Sequence, residues 1–177
     1  DPVMAAAAAE GDTGDIIVTA QRREEKLSKV PVSVVAFNAE SLKVRVINSE
    51  QDMGSLVPGL LVKNGQNSNQ LSFSMRGQTL DPFSGTSPAV LTYINEAPYT
   101  PNNTATGFFD LGSIQVLKGP QGTLFGRNAT GGAVLYSTPM PGNEVGGYLT
   151  LRGGERKTFQ VQGAVDLPII PDKLAAR

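Results

Sequence analysis

The sequence predicts an α+β domain, built as a small mixed β-sheet with two or more short helices. Short apolar runs are separated by turns rich in Gly, Pro and Asn, as in a sheet with many connections. Two segments also carry residues that cap helices at their N-termini. The 177 residues include 20 Gly and 12 Pro but only 6% aromatic residues, which indicates many turns and a modest core.

The strands of this domain are expected where β-branched or aromatic residues cluster between turns. Leu71–Met75 alternates between apolar and polar residues, with the period of two that is typical of a half-buried strand. Strands and helices are interspersed along the chain, which favours a mixed sheet. The expected strands comprise residues 32–37, 60–63, 71–75, 89–94, 114–118 and 133–137.

Two short helices are expected after the first of these strands. Asn38 can cap the first helix, which extends to about Val44, because its side-chain oxygen can accept a hydrogen bond from a free backbone N–H. Asn48, with Gln51 three residues later, resembles a capping box for the second helix. Pro58 stops that helix because proline cannot continue it.

The most informative stretch runs from residue 114 to residue 134. A short apolar strand leads to Lys118, then to a Gly-Pro turn, and then to a glycine-dense segment that re-enters a strand. Pro120 fixes φ and removes a backbone donor, so the strand ends there. The glycines need surroundings that hold them in shape, as an enclosing protein wall would provide. From glycine content alone, a tight surface hairpin is the alternative.

This whole stretch resembles the signature of the plug domain of TonB-dependent outer-membrane receptors. Further matches to the family pattern lie between residues 15 and 141. They are Val30-Pro31-Val32-Ser33-Val34, Leu56-Val57-Pro58-Gly59, Met75-Arg76-Gly77 and Tyr93-Ile94-Asn95-Glu96-Ala97-Pro98. Two positions depart from the pattern. Asn95-Glu96-Ala97 replaces the usual Asp-Gly, which puts a tight primed turn in doubt, and Lys118 stands where the family typically carries Arg.

Near the N-terminus, a short extended run resembles the TonB box of the family. It consists of Asp15, Ile16, Ile17, Val18, Thr19 and Ala20. The resemblance implies a partner for this run, the C-terminal domain of TonB with its ExbB/ExbD complex. A β-branched run can add as a strand to a partner's sheet edge. Composition alone favours an ordinary core strand, whereas the position of the run near the N-terminus favours the box. We expect residues 1–28 to form a flexible segment that packs weakly, if at all.

The resemblance also assigns roles to two cations and two loops. In the family, the cations that match Arg76 and Lys118 lock the plug to acidic side chains on the inner barrel wall, and we expect the two to lie close together on one flank of the sheet. Two solvated surface cations are the alternative. In the family, the two loops that match residues 81–88 and 98–107 touch the substrate. Polar loops of this kind are also often simply exposed to solvent. Their candidate residues are Asp81, Pro82, Phe83, Ser84, Tyr99, Thr100, Asn102 and Asn103.

After residue 141 the pattern changes to longer alternating strands. Residues 147–152 place Leu149 and Leu151 on one side and the remaining large side chains on the other, and residues 158–165 alternate less regularly. Residues 166–172, which include two prolines, are expected to form a turn. The side opposite the leucines carries Tyr148, Thr150 and Arg152.

The resemblance implies three parts in the chain. Residues 1–28 are the flexible segment with the TonB box, residues 29–142 are the plug domain, and residues 143–177 are the first strands of a truncated outer-membrane β-barrel. Two strands cannot close a barrel, so the chain is interpreted as the N-terminal part of a receptor.

The composition excludes several kinds of chemistry. The chain contains no Cys and no His, which excludes thiolate and imidazole metal sites, Cys nucleophiles and Ser-His arrangements. A net charge of −1 and the lack of a basic face argue against nucleic-acid binding. No constellation at catalytic spacing stands out, so an enzyme is a distant third possibility, and we expect no cofactor.

The function that the resemblance implies is transport. The plug would occlude the lumen of its own β-barrel in the outer membrane, with its N-terminus in the periplasm. It would couple the binding of a small molecule, such as a metal chelate, to uptake driven by TonB. A ferric siderophore is the expected substrate because such substrates are frequent in the family. The alternative is a plug-like periplasmic binding module that acts without a barrel.

Overall fold

The computed structural model describes residues 17–19, 23, 25–45, 47, 49–64, 71–79, 88–99, 109–155 and 158–177. Its helices are α1 (Ala39–Val44), α2 (Glu50–Leu56) and α3 (Gly122–Phe125), with a 3-10 turn at Leu27–Lys29. No helix in these ranges is long and apolar enough to cross a membrane. The strands are β1 (Ile17–Val18), β2 (Glu25–Lys26), β3 (Val34–Asn38), β4 (Leu60–Asn64), β5 (Leu71–Met75), β6 (Val90–Ile94), β7 (Ala97–Tyr99), β8 (Ser113–Lys118), β9 (Gly132–Ser137), β10 (Gly146–Gly154), β11 (Thr158–Ile170) and β12 (Leu174–Ala176).

A five-stranded sheet in the order β3-β8-β9-β6-β7 forms the centre of the domain. β6 and β9 are parallel, and the other neighbouring pairs are antiparallel. The mixed sheet and the short helices confirm the predicted α+β class. In β8, the four consecutive residues Ile114, Gln115, Val116 and Leu117 are all buried, so both faces of this sheet are covered.

The two faces of the central sheet carry separate apolar clusters. One face, here called the helix face, is covered by α1, α2 and the β4–β5 hairpin. It buries Phe37, Ile114, Val116, Val134 and Tyr136 against Leu42, Met53, Val57, Leu60, Phe73 and Met75. The opposite face, here called the N-terminal face, buries Tyr93, Leu117, Ala133 and Leu135 with Val18, Phe125 and Ala129.

The caps of the first two helices show how local chemistry sets their start. Asn38 caps α1 as predicted, with its Oδ1 accepting from the backbone N–H of Ser41 at 2.8 Å. The prediction for α2 is wrong by one residue, because Ser49 is the cap and Asp52 Oδ2 accepts from its backbone N–H at 2.9 Å. A carboxylate in the first turn also complements the helix dipole, which a neutral glutamine does not. Gln51 instead donates to Asn64 Oδ1 on β4 at 2.7 Å, and Asn48 lies outside the described residues.

The hairpin between β6 and β7 forms the primed turn that the sequence put in doubt. Ile94 pairs with Ala97, which leaves a two-residue loop. Asn95 and Glu96 have φ values of 46° and 67°, and positive φ at both central residues is what a type I′ turn requires. Asn95 tolerates this conformation, and its side chain is held by Thr138, whose backbone N–H donates to Asn95 Oδ1 at 3.0 Å.

A second, three-stranded sheet in the order β10-β11-β12 follows the central domain. Its side chains alternate as predicted, with Tyr148 and Thr150 half-buried while Leu149 and Leu151 are 69% and 61% exposed. β11 continues the same pattern. The exposed apolar side chains that alternate along it are Phe159, Val161, Val165, Leu167 and Ile169, and Ile170 at its end is also exposed. One whole face of this sheet is therefore apolar and exposed.

The turn predicted at residues 166–172 begins later than expected. β11 runs through Pro168 to Ile170, and Pro168 pairs with Ala175 beside a register shift in the ladder. A proline is tolerated where a bulge interrupts the regular hydrogen bonding, so it does not end the strand. The reversal is made by the residues around Asp172, whose φ is 57°.

Candidate functional site

The candidate TonB box is docked on the domain in its described part. Ile17 pairs with Lys26, and Val18 pairs with Glu25, in a short antiparallel ladder between β1 and β2. Ile17 is 59% exposed, whereas Val18 is fully buried in the cluster of the N-terminal face. The expectation of weak packing is therefore wrong for this segment, because strand alternation turns Val18 into an apolar surface. Asp15, Ile16 and Ala20 lie outside the described residues.

A buried glutamine on β8 holds the same segment. The backbone N–H of Thr19 donates to Gln115 Oε1 at 3.0 Å, and Gln115 Nε2 lies 3.2 Å from Thr19 Oγ1. Gln115 is only 2% exposed. Sequence reasoning missed this residue, although a lone polar residue between Ile114 and Val116 signals a buried group that needs a partner.

Arg76 lies beside the residue that follows Lys118. A Cβ built on Gly119 would stand 3.2 Å from Arg76 Nη1, so the missing side chain of Gly119 leaves room for the guanidinium. The backbone N–H of Arg76 donates to the Gly59 carbonyl at 3.1 Å, and that of Lys118 donates to the Ser33 carbonyl at 2.8 Å. Within the described residues, neither cation forms an ion pair. The two residues therefore stand at one corner of the domain.

The glycine-dense segment after Lys118 is a packed loop and not a tight surface hairpin. α3 lies inside it, and the hydroxyl of Tyr93 donates to the Phe125 carbonyl at 2.8 Å. Its ends are joined by the N–H of Gly119, which donates to the Gly131 carbonyl at 2.9 Å. At Gly132, whose φ is 151°, an added Cβ would overlap the Leu117 carbonyl oxygen. The sheet thus requires glycine at this position.

Of the candidate substrate-contact residues, only Tyr99 is in the described part of the chain. It ends β7, is half-buried and pairs with Thr92 of β6. The other candidates, Asp81, Pro82, Phe83, Ser84, Thr100, Asn102 and Asn103, lie outside the described residues.

An ionic junction joins the central domain to the second sheet. Arg177 donates to both carboxylate oxygens of Asp110 at 2.7 Å and to Asp166 Oδ2 at 2.6 Å. The partners cover most of each other's surface, although the junction lies at the edge of the molecule. The hydrogen bonds from Arg177 lower the pKa of the Asp110 carboxyl, and burial opposes the shift. No local pattern could have predicted a pair that is 67 residues apart.

The TonB-dependent receptor plug domain family matches residues 26–133, which is more than half of the chain. The pesticin receptor of Yersinia pestis is 28% identical over 160 residues, which cover 87% of this chain and 24% of that protein. The vitamin B12 transporter BtuB of Vibrio vulnificus is 26% identical over 167 residues, with 86% and 25% covered. The chain thus spans about a quarter of the length of these relatives.

Solved structures give the same result. The ferric yersiniabactin uptake receptor FyuA of Yersinia pestis matches with a TM-score of 0.70 at 28% identity, over 78% of this chain and 22% of that chain. The alcaligin outer-membrane receptor FauA of Bordetella pertussis matches with a TM-score of 0.68 at 15% identity, over 88% and 27%, and it shows the fold alone. Together with the match over residues 26–133, these similarities show that the chain belongs to the TonB-dependent receptor plug domain family.

Proposed function

We propose that this chain gates a TonB-dependent transporter of the outer membrane. The plug occludes the lumen of its own β-barrel, and residues 15–20 carry the pull of TonB and its ExbB/ExbD complex to it. One observation carries this proposal: in the described part of the chain, the extended segment Ile17–Thr19 pairs with the two-residue strand β2, and it is attached to the central sheet through one buried side chain and one amide. Such a segment can leave the sheet and add as a strand to a partner.

The exposed face of the second sheet supports the presence of a barrel. Five large apolar side chains of β11 point outward, and the opposite side of the same strand is half-buried and partly polar. Lipid on one side and a lumen on the other would suit this alternation. A periplasmic binding module without a barrel would leave this apolar face in water, so we favour the transporter.

We further propose a ferric siderophore as the substrate. The names of the similar proteins support a metal chelate, since they include a receptor for ferric yersiniabactin and a receptor for alcaligin. A vitamin B12 transporter is also among them. Uptake of radiolabelled ferric siderophores and of cobalamin by a deletion strain, complemented with the receptor gene, tests the substrate class. Loss of cobalamin uptake alone would contradict the siderophore.

We propose that Arg76 and Lys118 lock the plug to acidic residues of the barrel wall. Arg76 is exposed, and Lys118 is half-exposed at the same corner. Charged side chains that meet carboxylates in a confined lumen make strong, charge-assisted hydrogen bonds. Exchange of Arg76 for Lys keeps the charge but loses the bidentate geometry, so it should weaken plug retention less than Arg76→Ala. Equal retention of the plug in Arg76→Lys, Arg76→Ala and the wild type would contradict a lock.

The coupling role of the N-terminal segment is tested by Ile17→Pro in the intact receptor. Proline removes the N–H that a partner strand would bond, so uptake of the labelled substrate by whole cells should be abolished. Substrate binding to the same cells should be unchanged, because Ile17 is exposed and outside both clusters. Ile17→Thr, which keeps the N–H and the β-branch, is the control. Normal uptake by the proline variant would contradict the assignment.

A further inference from the structure

The amide of Gln115 is the most unusual group on the N-terminal face. It is 2% exposed in a strand whose neighbouring side chains are apolar, and it reaches a segment 96 residues earlier in the chain. A buried polar side chain is retained without cost only where its hydrogen bonds are made. Here those bonds run mainly to Thr19, so the docked segment satisfies the glutamine.

The backbone fixes how this amide is oriented. The N–H of Thr19 can only donate, so the atom 3.0 Å away must be the acceptor oxygen of Gln115. The amino group then lies 3.2 Å from the Thr19 hydroxyl and 3.5 Å from that of Ser113. One side chain therefore recognises both the backbone and the hydroxyl of Thr19. Leucine, which lacks both the acceptor and the donor, cannot do this.

The geometry also makes the contact reversible. Thr19 is half-buried and the hydrogen bonds are partly buried, so water can reach the amide once the segment departs. When the segment leaves, these neutral hydrogen bonds are exchanged for hydrogen bonds to water, which changes the free energy of release little. A polar group left without a partner in a dry core would instead oppose release strongly. The burial of Val18 adds an apolar contact that is lost in the same step.

We propose that Gln115 is a latch that holds the TonB-binding segment in its docked position on the N-terminal face. This inference rests on the proposed role of residues 15–20. Gln115 acts on the docked state alone, so its loss raises the population of the released segment without changing the contacts that the segment makes with TonB. The latch thereby limits the fraction of receptors whose segment is free to engage TonB.

Release can be measured with a thiol in place of Val18. The 177 residues contain no cysteine, and Cys is close to Val in size, so Val18→Cys places a reporter that reacts with maleimide only after undocking. In the intact receptor, without substrate, Gln115→Leu should raise the labelling rate about tenfold. Thr19→Val keeps the backbone bond and should raise it about threefold. The double variant should label no faster than Gln115→Leu, because both changes remove the same contact.

Gln121→Leu is the matched control, since Gln121 is also buried but has no hydrogen bond to Thr19. Labelling of Gln115→Leu at the wild-type rate, or independent addition of the two effects, would overturn the latch. Unchanged substrate binding shows that each variant is folded. Should Gln115→Leu fail to fold, Thr19→Val at the half-exposed end of the contact decides alone, and a wild-type rate for it overturns the proposal.

The outcomes separate the latch from the function on which it rests. If Ile17→Pro abolishes uptake but Gln115→Leu labels normally, the latch is wrong and the coupling role stands. If Gln115→Leu releases the segment but the purified C-terminal domain of TonB binds both receptors with equal affinity, the coupling role of the segment is wrong. If release and TonB affinity both rise about tenfold, both hold.

Discussion

The central sheet and the second sheet use the same strand chemistry in opposite surroundings. In β8, the residues from Ile114 to Leu117 are all buried, with helices on one side and the N-terminal segment on the other. In β11, no residue from Thr158 to Ile170 is buried, and the apolar side chains face outward. The central sheet therefore carries its own core, whereas the second sheet depends on what surrounds it.

One substitution made in both sheets should show this difference most strongly. Val134 is fully buried in the helix-face cluster, whereas Val161 is 54% exposed. Val134→Asp buries an unpaired charge and should lower the free energy of unfolding by at least about 4 kcal/mol. Val161→Asp should change it by less than about 0.5 kcal/mol in solution, yet reduce the amount of receptor assembled in the outer membrane.

Urea unfolding of the 177-residue chain in mild detergent, followed by circular dichroism, measures the first quantity. Quantification of receptor in outer-membrane fractions measures the second. Equal stability losses for the two variants would mean that the second sheet shares the core of the first.

Glycine to alanine exchanges sharpen the same contrast. An added Cβ at Gly132 would overlap the Leu117 carbonyl oxygen and lie 2.9 Å from Met75 Sδ, at a φ of 151°. Gly132→Ala should therefore cost about 3 kcal/mol of stability. Gly153→Ala in β10 meets open space and should be neutral or slightly stabilising. Denaturant midpoints of the two variants give the comparison, and a neutral Gly132→Ala would contradict the close approach.

Removal of the second sheet should have a smaller effect. None of its residues belongs to either apolar cluster, and its described links to the domain are the junction at Arg177 and contacts such as that of Lys43 Nζ, which lies 5.7 Å from the centre of the Tyr148 ring. A chain that ends at Pro141 should lose less than about 2 kcal/mol of unfolding free energy and should be more soluble, because an unpaired apolar edge is gone. A larger loss would place the domain boundary beyond residue 142.

The smallest effect is expected at the ionic junction. The lowered pKa of Asp110 means that the native state favours the carboxylate, so its contribution is complete above about pH 4 and is lost as the pH falls through the lowered pKa. Asp110→Asn should lower the thermal midpoint slightly at pH 7 and in low salt. The difference from the wild type should vanish in acid. A difference that persists after the Asp110 carboxyl of the native protein has been protonated would show that shape, and not charge, holds the contact.

Local patterns predicted most of the elements but not their long-range contacts. The strand Leu71–Met75 and the cap at Asn38 depend on near neighbours, and both were predicted correctly, although Ser74 is buried together with the apolar residues of that strand. Ser49 was missed as the second cap because Asn48 and Ser49 are both good caps, and only the partner three residues later separates them. Pro168 was read as a turn because a bulge cannot be seen without its partner strand.

The candidate site was predicted less completely, because its contacts join distant parts of the chain. The sequence identified Ile17 to Thr19 as a β-forming run but could not show that Val18 is buried. The partner of Thr19 lies on β8, and that of Arg177 lies between β7 and β8 in the sequence. Arg76 and Lys118 were identified through local motifs, and their role as a lock stays a prediction.

The 96-residue separation of Thr19 and Gln115 also bears on the order of folding. Closing so large a loop is entropically unfavourable until β8 and β9 have already formed the surface that receives Val18. Residues 17–19, although they are synthesised before β8, are therefore among the last to reach their native place. Until then, the amide of Gln115 and the apolar patch around Leu117 stay open to solvent, so a nascent chain would offer chaperones a binding surface that the mature domain conceals.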